Sequence, residues 1–400
     1  MAKALGKENI LIREMTLSNI LSYGPQTKPI SLGSLNVLIG PNGSGKSNLI
    51  EVISLLRAAP GELGSVTRRG GGVGEWIWKG NPNETAAIDV IISDSIGDQP
   101  IRHFLEFGAK DLRFFLEDEW IESEKSDSNS QVPFFYYRYQ IGDPVITVDS
   151  VNRRLSPDTL KTDASILAQM RDPDFYPVLS ALAGAYEKIR IYREWTFGRN
   201  AVFREPQKAD MRNDRLEEDF SNLGLFLNKL RRIPAAKRAI LSALEDLYEG
   251  LSDFDVSVEG GTVQVFFTEG DFTIPATRLS DGTLRYLCLL AILCDPNPPP
   301  LICIEEPELG LHPDILPKLA DLLVDASTRT QLIVTTHSDI LVDAMTDRPE
   351  AILVCEKHAG QTTIERLEGA KLAAWLESYK SGGARLGESW IRGELGGTRW

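Results

Sequence analysis

Short apolar runs recur along the chain, and they are typical of buried strands. The first clear one is Leu35-Asn36-Val37-Leu38-Ile39, and the apolar stretch over 48–56 that follows it predicts a helix. Strands return over 254–274, and strand and helix patterns then alternate up to about residue 356. This alternation predicts a parallel sheet with helices on both faces, so the expected fold class is α/β.

Between these regions, residues 86–150 alternate between polar and apolar positions, as half-buried strands do. Antiparallel hairpins are predicted from three runs: Ala86–Ile92, Arg102–Phe107 and Phe134–Val148. Two segments predict long loops instead. Residues 57–84 are basic and rich in glycine, and residues 117–131 are acidic and then rich in serine.

From about residue 158 to 250 the apolar spacing becomes helical, most clearly in Leu216–Leu230 and Ala235–Leu251. A hairpin over 351–367 and a short helix over 370–380 are predicted near the end of the chain. The changes of period divide the chain into three expected parts: an N-terminal lobe with the antiparallel β subdomain (1–157), an inserted helical lid subdomain (158–253) and a C-terminal lobe (254–400).

The composition is that of an ordinary folded protein. The 400 residues are 42% hydrophobic and 25% charged. The net charge of −14 disfavours nucleic-acid binding by the whole surface, but it is compatible with a local basic groove. The first residues lack the apolar core of a signal peptide, and no apolar run approaches the roughly 20 residues of a membrane span. We therefore expect a cytoplasmic protein with no membrane partner.

The cysteines lie among apolar neighbours and lack C-x-x-C spacing. This pattern predicts buried thiols rather than disulfides or metal ligands. The residues concerned are Cys288, Cys294, Cys303 and Cys355.

One motif carries most of the chemistry. Gly40 to Ser47 read GPNGSGKS, which matches the P-loop pattern G-x-x-x-x-G-K-[ST], and the loop lies between a predicted strand and a predicted helix. In that context backbone N–H groups and the helix N-terminus bind phosphate oxygens. The alternative is an ordinary glycine-rich turn before a helix, which the strand–loop–helix context disfavours. Lys46 is expected to reach the β- and γ-phosphates, and Ser47 to ligate Mg²⁺. The expected nucleotide-binding residues here are Gly40, Pro41, Asn42, Gly43, Ser44, Gly45, Lys46, Ser47 and Asn48.

A second group of polar residues follows predicted strands. Leu301–Ile304 is followed by Glu305 and Glu306, and a buried strand ending in two acids can place one on Mg²⁺ and one on the attacking water. We assign the Mg²⁺ role to Glu305 and the general-base role to Glu306. Another predicted strand, 331–336, ends at His337, which is placed to reach a γ-phosphate.

A third candidate phosphate site opens the apolar helix predicted over 284–293. A serine and a glycine at a helix N-terminus can bind an anion, so Ser280 and Gly282 are candidate phosphate contacts. The alternative is a simple N-cap, in which Ser280 or Asp281 caps the helix.

Taken in their order along the chain, these motifs resemble those of the ATP-binding-cassette (ABC) ATPase superfamily. GPNGSGKS is similar to its Walker A motif, LSDGT to its LSGGQ signature, LICIEE to its Walker B motif, and TTHS to its switch histidine. The segments EEPELGLHP, IREMTLSNILSYG and YREWTFGR further resemble the RecF/SMC/OLD-like branch, whose bacterial members are often called AAA family ATPases. The resemblance implies a P-loop NTPase head of the ABC-ATPase type that uses ATP and Mg²⁺.

The resemblance also implies a mode of action. Heads of this superfamily form head-to-tail dimers with two ATP molecules between them, so Ser280 and Gly282 of one subunit would contact the γ-phosphate bound to the other. There Glu306 would activate water and His337 would sense the γ-phosphate. The opening segment adds two residues that are expected to flank the nucleotide, Asn19 and Tyr23.

The chain departs from the superfamily pattern in its acidic strand and its signature. Glu305 stands where many relatives have Asp, and its longer side chain changes the reach to Mg²⁺. Asp281 and Thr283 replace the usual Gly and Gln of the signature. The Q-loop glutamine has two candidates, Gln140 and Gln169.

The leading functional hypothesis is an ATP-dependent switch in DNA repair or antiphage defence, acting as a homodimer or higher oligomer on DNA or an effector subunit. OLD-type relatives carry a Toprim nuclease domain, for which the residues after Val354 leave no room, and no heptad run suggests an SMC coiled coil. One alternative is a regulatory or scaffold ATPase with little turnover that restrains a separate toxin or nuclease. Another, ranked last, is the nucleotide-binding subunit of a transporter.

An arginine-rich stretch has two interpretations. Its guanidinium groups can contact DNA or an effector subunit, or they can form salt bridges with the many carboxylates of the surface. The residues are Arg190, Arg193, Arg199 and Arg204.

Overall fold

The backbone forms three sheets and the helices that cover them, across the part of the chain that the structure describes. This computed structural model describes residues 9–93, 99–125, 133–140, 142–196, 198, 201, 204–247, 250–368, 372, 373, 375, 377, 383 and 385–396. The strands are β1 (Ile12–Ser18), β2 (Ile30–Ser31), β3 (Leu35–Ile39), β4 (Ala86–Ile92), β5 (Ile101–Lys110), β6 (Arg113–Ser123), β7 (Phe135–Gln140), β8 (Asp143–Val148), β9 (Val151–Arg154), β10 (Arg190–Tyr192), β11 (Gln207–Lys208), β12 (Leu251–Glu259), β13 (Thr262–Glu269), β14 (Phe272–Pro275), β15 (Leu301–Glu305), β16 (Gln331–Thr335), β17 (Ile352–His358) and β18 (Gln361–Arg366). The α-helices are α1 (Lys46–Ala58), α2 (Leu63–Arg69), α3 (Val73–Trp76), α4 (Ile166–Gln169), α5 (Pro177–Glu187), α6 (Leu223–Leu230), α7 (Pro234–Leu247), α8 (Asp281–Leu293), α9 (Leu316–Ala326), α10 (Asp339–Asp343) and α11 (Leu386–Ile391).

The central sheet has the strand order β10-β15-β16-β3-β17-β18. Its first five strands are parallel, and β18 returns antiparallel to β17 as the predicted C-terminal hairpin, which is confirmed. The register pairs Glu305 with Thr335 and Thr335 with Leu38, so the carboxyl ends of β15, β16 and β3 meet at one edge. Open α/β sheets bind their ligands at this edge.

Alternate residues of the central strands enter two hydrophobic clusters. Val37 and Ile39 join a cluster that contains the buried residues of α8 and α9. Leu38 joins a cluster that contains α1, α5 and the apolar side of the antiparallel sheet. Because successive side chains of a strand point to opposite faces, the sheet is covered on both faces, which confirms the predicted α/β class.

The antiparallel sheet has the order β2-β1-β4-β5-β6-β7-β8-β9, which confirms the hairpins predicted over 86–150. The loop predicted over 117–131 is wrong in its first half, because β6 extends to Ser123 and pairs with β5 along its length. Glu117 and Asp118 lie at the more exposed positions of this strand, whereas Glu119 and Glu122 are buried, so the charge of the segment did not indicate a loop. Residues 126–132 of that prediction lie outside the described residues.

The long loop predicted over 57–84 is also wrong in part, because it contains α2 and α3. Leu63, Thr67, Val73 and Trp76 are buried, and this packing stabilises two short helices that the glycine content disfavours. Glycines remain where the chain turns between the helices.

The segment predicted to be helical, 158–253, contains α4, α5, α6 and α7, but it also contains the short strands β10 and β11 and the start of β12. β10 pairs in parallel with β15 and so belongs to the central sheet. Three residues are too few for their periodicity to stand out against the helical pattern around them. The strands predicted over 254–274 are confirmed, since β13 pairs with β12 along one edge and with β11 and β14 along the other. The three-part division of the chain stays a prediction.

The prediction of buried thiols is confirmed, since all four cysteines are free and buried. Burial raises the pKa of Cys294 and of Cys355 to about 12, so both thiols stay protonated at neutral pH. Within the described ranges, no helix is both long enough and apolar enough to cross a bilayer. The short helix predicted over 370–380 falls mostly outside the described residues.

Candidate nucleotide site

The P-loop runs from the end of β3 to the start of α1, as predicted. Gly40 has a φ of +147°, and a Cβ there would lie 2.3 Å from the Cys355 carbonyl oxygen. Gly45 has a φ of +98°, and its Cβ would lie 2.3 Å from Thr362 Oγ1. The loop therefore needs glycine at both positions, because its backbone packs against β17 and β18.

Lys46 folds back over this loop. Its Nζ donates to the carbonyls of Gly40, at 2.9 Å, and Pro41, at 3.0 Å. Burial lowers the pKa of Lys46, and the carboxylates of Glu306 and Glu308 act in the opposite direction. The ammonium thus lies within the electrostatic reach of the acidic strand end, at the mouth of a loop that can receive phosphate.

The other P-loop residues divide into exposed and supporting ones. Asn42, Gly43 and Ser47 are exposed, whereas the Ser44 hydroxyl is buried and has no hydrogen-bond partner among the described residues. Asn48 Nδ2 donates to Ser22 Oγ at 2.6 Å, so its side chain supports the loop from the protein side.

Two further chain segments support the P-loop from beneath. The Tyr23 hydroxyl donates to the Gly45 carbonyl at 3.1 Å, and Thr362 Oγ1 donates to the Ser44 carbonyl at 2.9 Å. Asn19 is buried and donates to the carbonyls of Asn81 and Thr85. Tyr23 and Asn19 were expected to flank the nucleotide. Their contacts are with backbone carbonyls, so they stabilise this region of the protein.

The acidic strand end is the second part of the site. Glu305 is the last residue of β15, and its Oε1 is buried without a hydrogen-bond partner in the described part of the chain. Burial raises the pKa of Glu305, and the guanidinium of Arg193 opposes that shift. Arg193 is held by Glu51, one turn after Ser47 on α1. The charge of Glu51 also acts on Glu305, so the two carboxylates are near each other. A buried carboxylate oxygen without a partner suits a hard cation.

Glu306 and His337 meet next to this carboxylate. His337 Nε2 lies 3.6 Å from Glu306 Oε1, and the two side chains are 35% and 37% exposed. The carboxylate and the imidazole are thus adjacent and open to a ligand. Glu306 has a φ of +46°, in the left-handed region, and its N–H donates to the Thr335 carbonyl at 3.0 Å.

Glu308 is a site residue that the sequence analysis missed. Its Oε1 accepts hydrogen bonds from Thr336 Oγ1 and from the His337 N–H, both at 2.7 Å. Burial raises the pKa of Glu308, and these two hydrogen bonds oppose the shift. The third acid of the EEPE run fixes the turn that carries His337, and its spacing from the acidic strand was the signal available in the sequence.

The signature residues lie at the start of α8. Ser280 Oγ accepts a hydrogen bond from the Thr283 N–H at 3.1 Å, so the N-cap alternative is realised in this structure. A Cβ on Gly282 would lie 2.9 Å from the Gly310 carbonyl, which explains the glycine. Ser280 is exposed and, with Gly282, Gly310 and His312, lines a cavity of about 440 Å³.

Among the described arginines of the arginine-rich stretch, each contacts its own chain. Arg193 pairs with Glu51, and Arg204 pairs with Asp281 at 2.6 Å. Arg190 is buried and donates to two carbonyls. The salt-bridge interpretation therefore describes Arg193 and Arg204, and it gives Asp281 a role that the usual signature glycine could not fill. Arg199 lies outside the described residues.

Neither Q-loop candidate lies in a setting that supports that role. The Gln169 side chain binds the Lys161 N–H and the Ala164 carbonyl in a local turn. Gln140 is an exposed residue at the end of β7.

Comparison with known proteins places this site in a family context. A family model described as "AAA domain, putative AbiEii toxin, Type IV TA system" matches residues 35–343, from β3 to α10. No curated protein is a significant match to the sequence.

Solved structures share the fold. An SMC head bound to the C-winged helix domain of ScpA is 15% identical, with a TM-score of 0.57 over 90% of this chain and 99% of that one. An Smc head domain with an extended coiled coil, bound to the C-terminal domain of ScpA from Pyrococcus furiosus, is 15% identical with a TM-score of 0.55 over 92% and 99%. An Smc head domain from Pyrococcus yayanosii is 12% identical with a TM-score of 0.52 over 92% and 99%. At these identities the likeness is one of fold.

Proposed function

The chain belongs to the family described as AAA domain, putative AbiEii toxin, Type IV TA system, and from this premise we propose that it is an ATP-hydrolysing switch of the ABC/SMC type. The observation that carries the proposal is the meeting of three distant motifs at one sheet edge. The Glu306 carboxylate is 3.6 Å from His337 Nε2 and close enough to influence the pKa of Lys46.

Each residue has a role that follows from its surroundings. Lys46 would exchange its two loop carbonyls for phosphate oxygens. Ser47 and Glu305 would hold Mg²⁺, which when bound neutralises charge on the phosphates. Glu306 would accept the proton of the attacking water, a role that contributes about 10²–10⁴-fold to rate. His337 would donate a hydrogen bond to the γ-phosphate beside it.

The second half of the site would come from another copy of the chain. Ser280 is exposed, and the adjacent cavity is open, so a phosphate bound to a partner subunit could approach α8. We propose head-to-tail closure of two subunits on two ATP molecules, with release after hydrolysis. The cycle would control DNA or an effector subunit in DNA repair or antiphage defence. Two of the similar SMC heads are bound to another protein, ScpA, which supports an effector subunit.

A second candidate is a regulatory ATPase with little turnover that restrains a separate toxin or nuclease. The family description, which names a toxin–antitoxin system, is the observation that favours it. The two candidates differ in turnover, because a restraint needs bound nucleotide and a cycling switch needs hydrolysis.

The test is the solution mass of Glu306→Gln with and without Mg-ATP, measured by light scattering, together with phosphate release by the wild type. We expect an ATP-dependent increase in mass that is absent in Glu306→Gln/Ser280→Arg. Glu75→Gln, at an exposed ion pair with Lys79, is the matched control and should hydrolyse ATP like the wild type.

Three outcomes separate the candidates. Mass increase with hydrolysis in the wild type supports the cycling switch. Mass increase without measurable hydrolysis supports the restraint. Turnover in Glu306→Gln equal to that of the wild type would contradict the assignment of Glu306 as the general base.

A further inference from the structure

The backbone of Glu306 is fixed from two directions. Its φ of +46° is uncommon for a residue with a side chain, and such conformations persist where the surroundings hold them. The N–H donates to the Thr335 carbonyl on the neighbouring strand. The carbonyl accepts a hydrogen bond from Arg285 Nη2 at 2.5 Å. The conformation of the proposed general base therefore depends on a side chain of α8.

Arg285 occupies an unusual environment. It is 1% exposed, and most of the other buried side chains of α8 are apolar. Its guanidinium carbon lies 4.1 Å from the centroid of the Trp195 ring, within cation–π distance. Burial lowers the pKa of Arg285 to about 10, and Glu308 opposes the shift, so the group stays charged at neutral pH.

Trp195 completes the contact on the acidic strand. Its Nε1 donates to the Glu305 carbonyl at 2.8 Å, and its ring also stacks on Phe220, with 5.3 Å between centroids. Arg285 and Trp195 touch each other, and each holds the carbonyl of one of the two adjacent acids. Side chains that only filled this space would not need to donate a hydrogen bond to each of these two carbonyls.

We propose that Arg285, supported by Trp195, is a positioning residue that couples the signature end of α8 to the orientation of Glu306. The inference rests on the proposed function and deepens it. It explains how contact between Ser280 and a phosphate bound to the partner subunit would affect the activation of water by Glu306. Ser280 and Arg285 are separated by less than two turns of one helix, so a shift of α8 toward a phosphate at Ser280 moves Arg285 with it. The Glu306 carbonyl then follows, and with it the carboxylate.

The coupling explains how nucleotide closure can be sensed within one subunit. Without a ligand at Ser280, Glu306 keeps the conformation seen here. With one, the hydrogen bond from Arg285 transmits the displacement of α8. Small displacements of a catalytic group change rate strongly, on the order of 10²-fold for about 1 Å.

The test compares Arg285→Lys with a matched control, Arg329→Lys. Arg329 also donates to a backbone carbonyl of α8, that of Leu293, but at the opposite end of the helix. For Arg285→Lys we expect kcat to fall by on the order of 10²-fold, with the dissociation constant for Mg-ADP unchanged within about twofold. Arg329→Lys should keep both values.

Two further measurements separate positioning from a general loss of structure. Guanidinium chloride at millimolar concentration should restore part of the turnover of Arg285→Ala and leave Arg329→Ala unchanged. Trp195→Phe keeps an aromatic ring but loses the indole N–H together with the five-membered ring that carries it. It should lower kcat by a smaller factor while the protein stays folded.

Hydrogen exchange decides the inference even if the wild type does not hydrolyse ATP, an outcome that would count against the proposed function. The peptide that contains Glu306 should exchange faster in Arg285→Lys, and its exchange should be unchanged in Arg329→Lys. Unchanged exchange at Glu306 in Arg285→Lys, or turnover within twofold of an active wild type, would overturn the inference. Equal losses of nucleotide affinity and turnover would also overturn it, since they indicate a structural role.

Discussion

The left-handed backbone conformation of Glu306 predicts that a residue other than glycine at this position destabilises the folded protein. In the left-handed region, a residue with a Cβ destabilises the folded state by about 1–2 kcal/mol relative to glycine. Glycine in turn lowers the folding stability by about 0.4–1 kcal/mol, because it makes the unfolded chain more flexible. Glu306→Gly should therefore be more stable than Glu306→Ala by about 1 kcal/mol. Both variants remove the carboxylate beside Glu305 and Glu308, so the difference isolates the backbone.

The measurement is the thermal unfolding of nucleotide-free protein by calorimetry. A difference of about 1 kcal/mol corresponds to roughly 1–2 °C for a chain of this length, since the shift per kcal/mol falls with size. Ala359→Gly is a positive control, because Ala359 has a φ of +49° in the exposed turn between β17 and β18. It should stabilise the protein and leave turnover unchanged. The reasoning fails if Ala359→Gly is stabilising and Glu306→Gly melts no higher than Glu306→Ala.

Three other predictions concern charge. Lys46→Ala should weaken Mg-ATP binding by about 10- to 10²-fold, as expected for charge-assisted hydrogen bonds of 1.5–3 kcal/mol, and calorimetric titration would contradict this if affinity is unchanged. Burial raises the pKa of Glu305, so its ionisation costs stability as pH rises from 4.5 through the folded pKa. We expect the free energy of unfolding of nucleotide-free Glu305→Gln to rise relative to that of the wild type between pH 4 and 8, as measured by denaturant titration. A difference between the two proteins that does not change with pH would refute the burial argument. A double-mutant cycle of Arg204→Ala and Asp281→Ala should give a coupling of about 0.5–1 kcal/mol, because Asp281 is 41% exposed, and zero coupling would make the ion pair incidental.

The parts of the site that the sequence predicts are those that follow strand ends. Glu305 and Glu306 follow an apolar run directly, His337 follows another after two threonines, and the loop that ends at Lys46 begins where a third run ends. Parallel strands bring such positions to one edge. Their assembly could be predicted because it follows from local pattern and fold class. Arg285 could not, because its contact with the Glu306 carbonyl depends on where α8 packs.

The wrong predictions about the fold also concern elements that depend on tertiary packing. In 57–84 the glycines suggested a loop, but the burial of Trp76 and its neighbours stabilises short helices there. β10 was hidden inside a helical segment because its three residues are specified by pairing with β15, across more than a hundred residues of sequence. Tertiary packing decides such elements, and local propensity does not reveal it.

The contact between Thr362 and the P-loop has a consequence for biosynthesis. Thr362 Oγ1 donates to the Ser44 carbonyl, 318 residues earlier in the chain. At about 5–20 residues per second, translation needs roughly 15–60 s to extend from the P-loop to this strand. During that interval the nascent polypeptide carries the phosphate loop without the hairpin that shapes it. Competence to bind nucleotide is therefore acquired only after Thr362 has been made, 318 residues after Ser44.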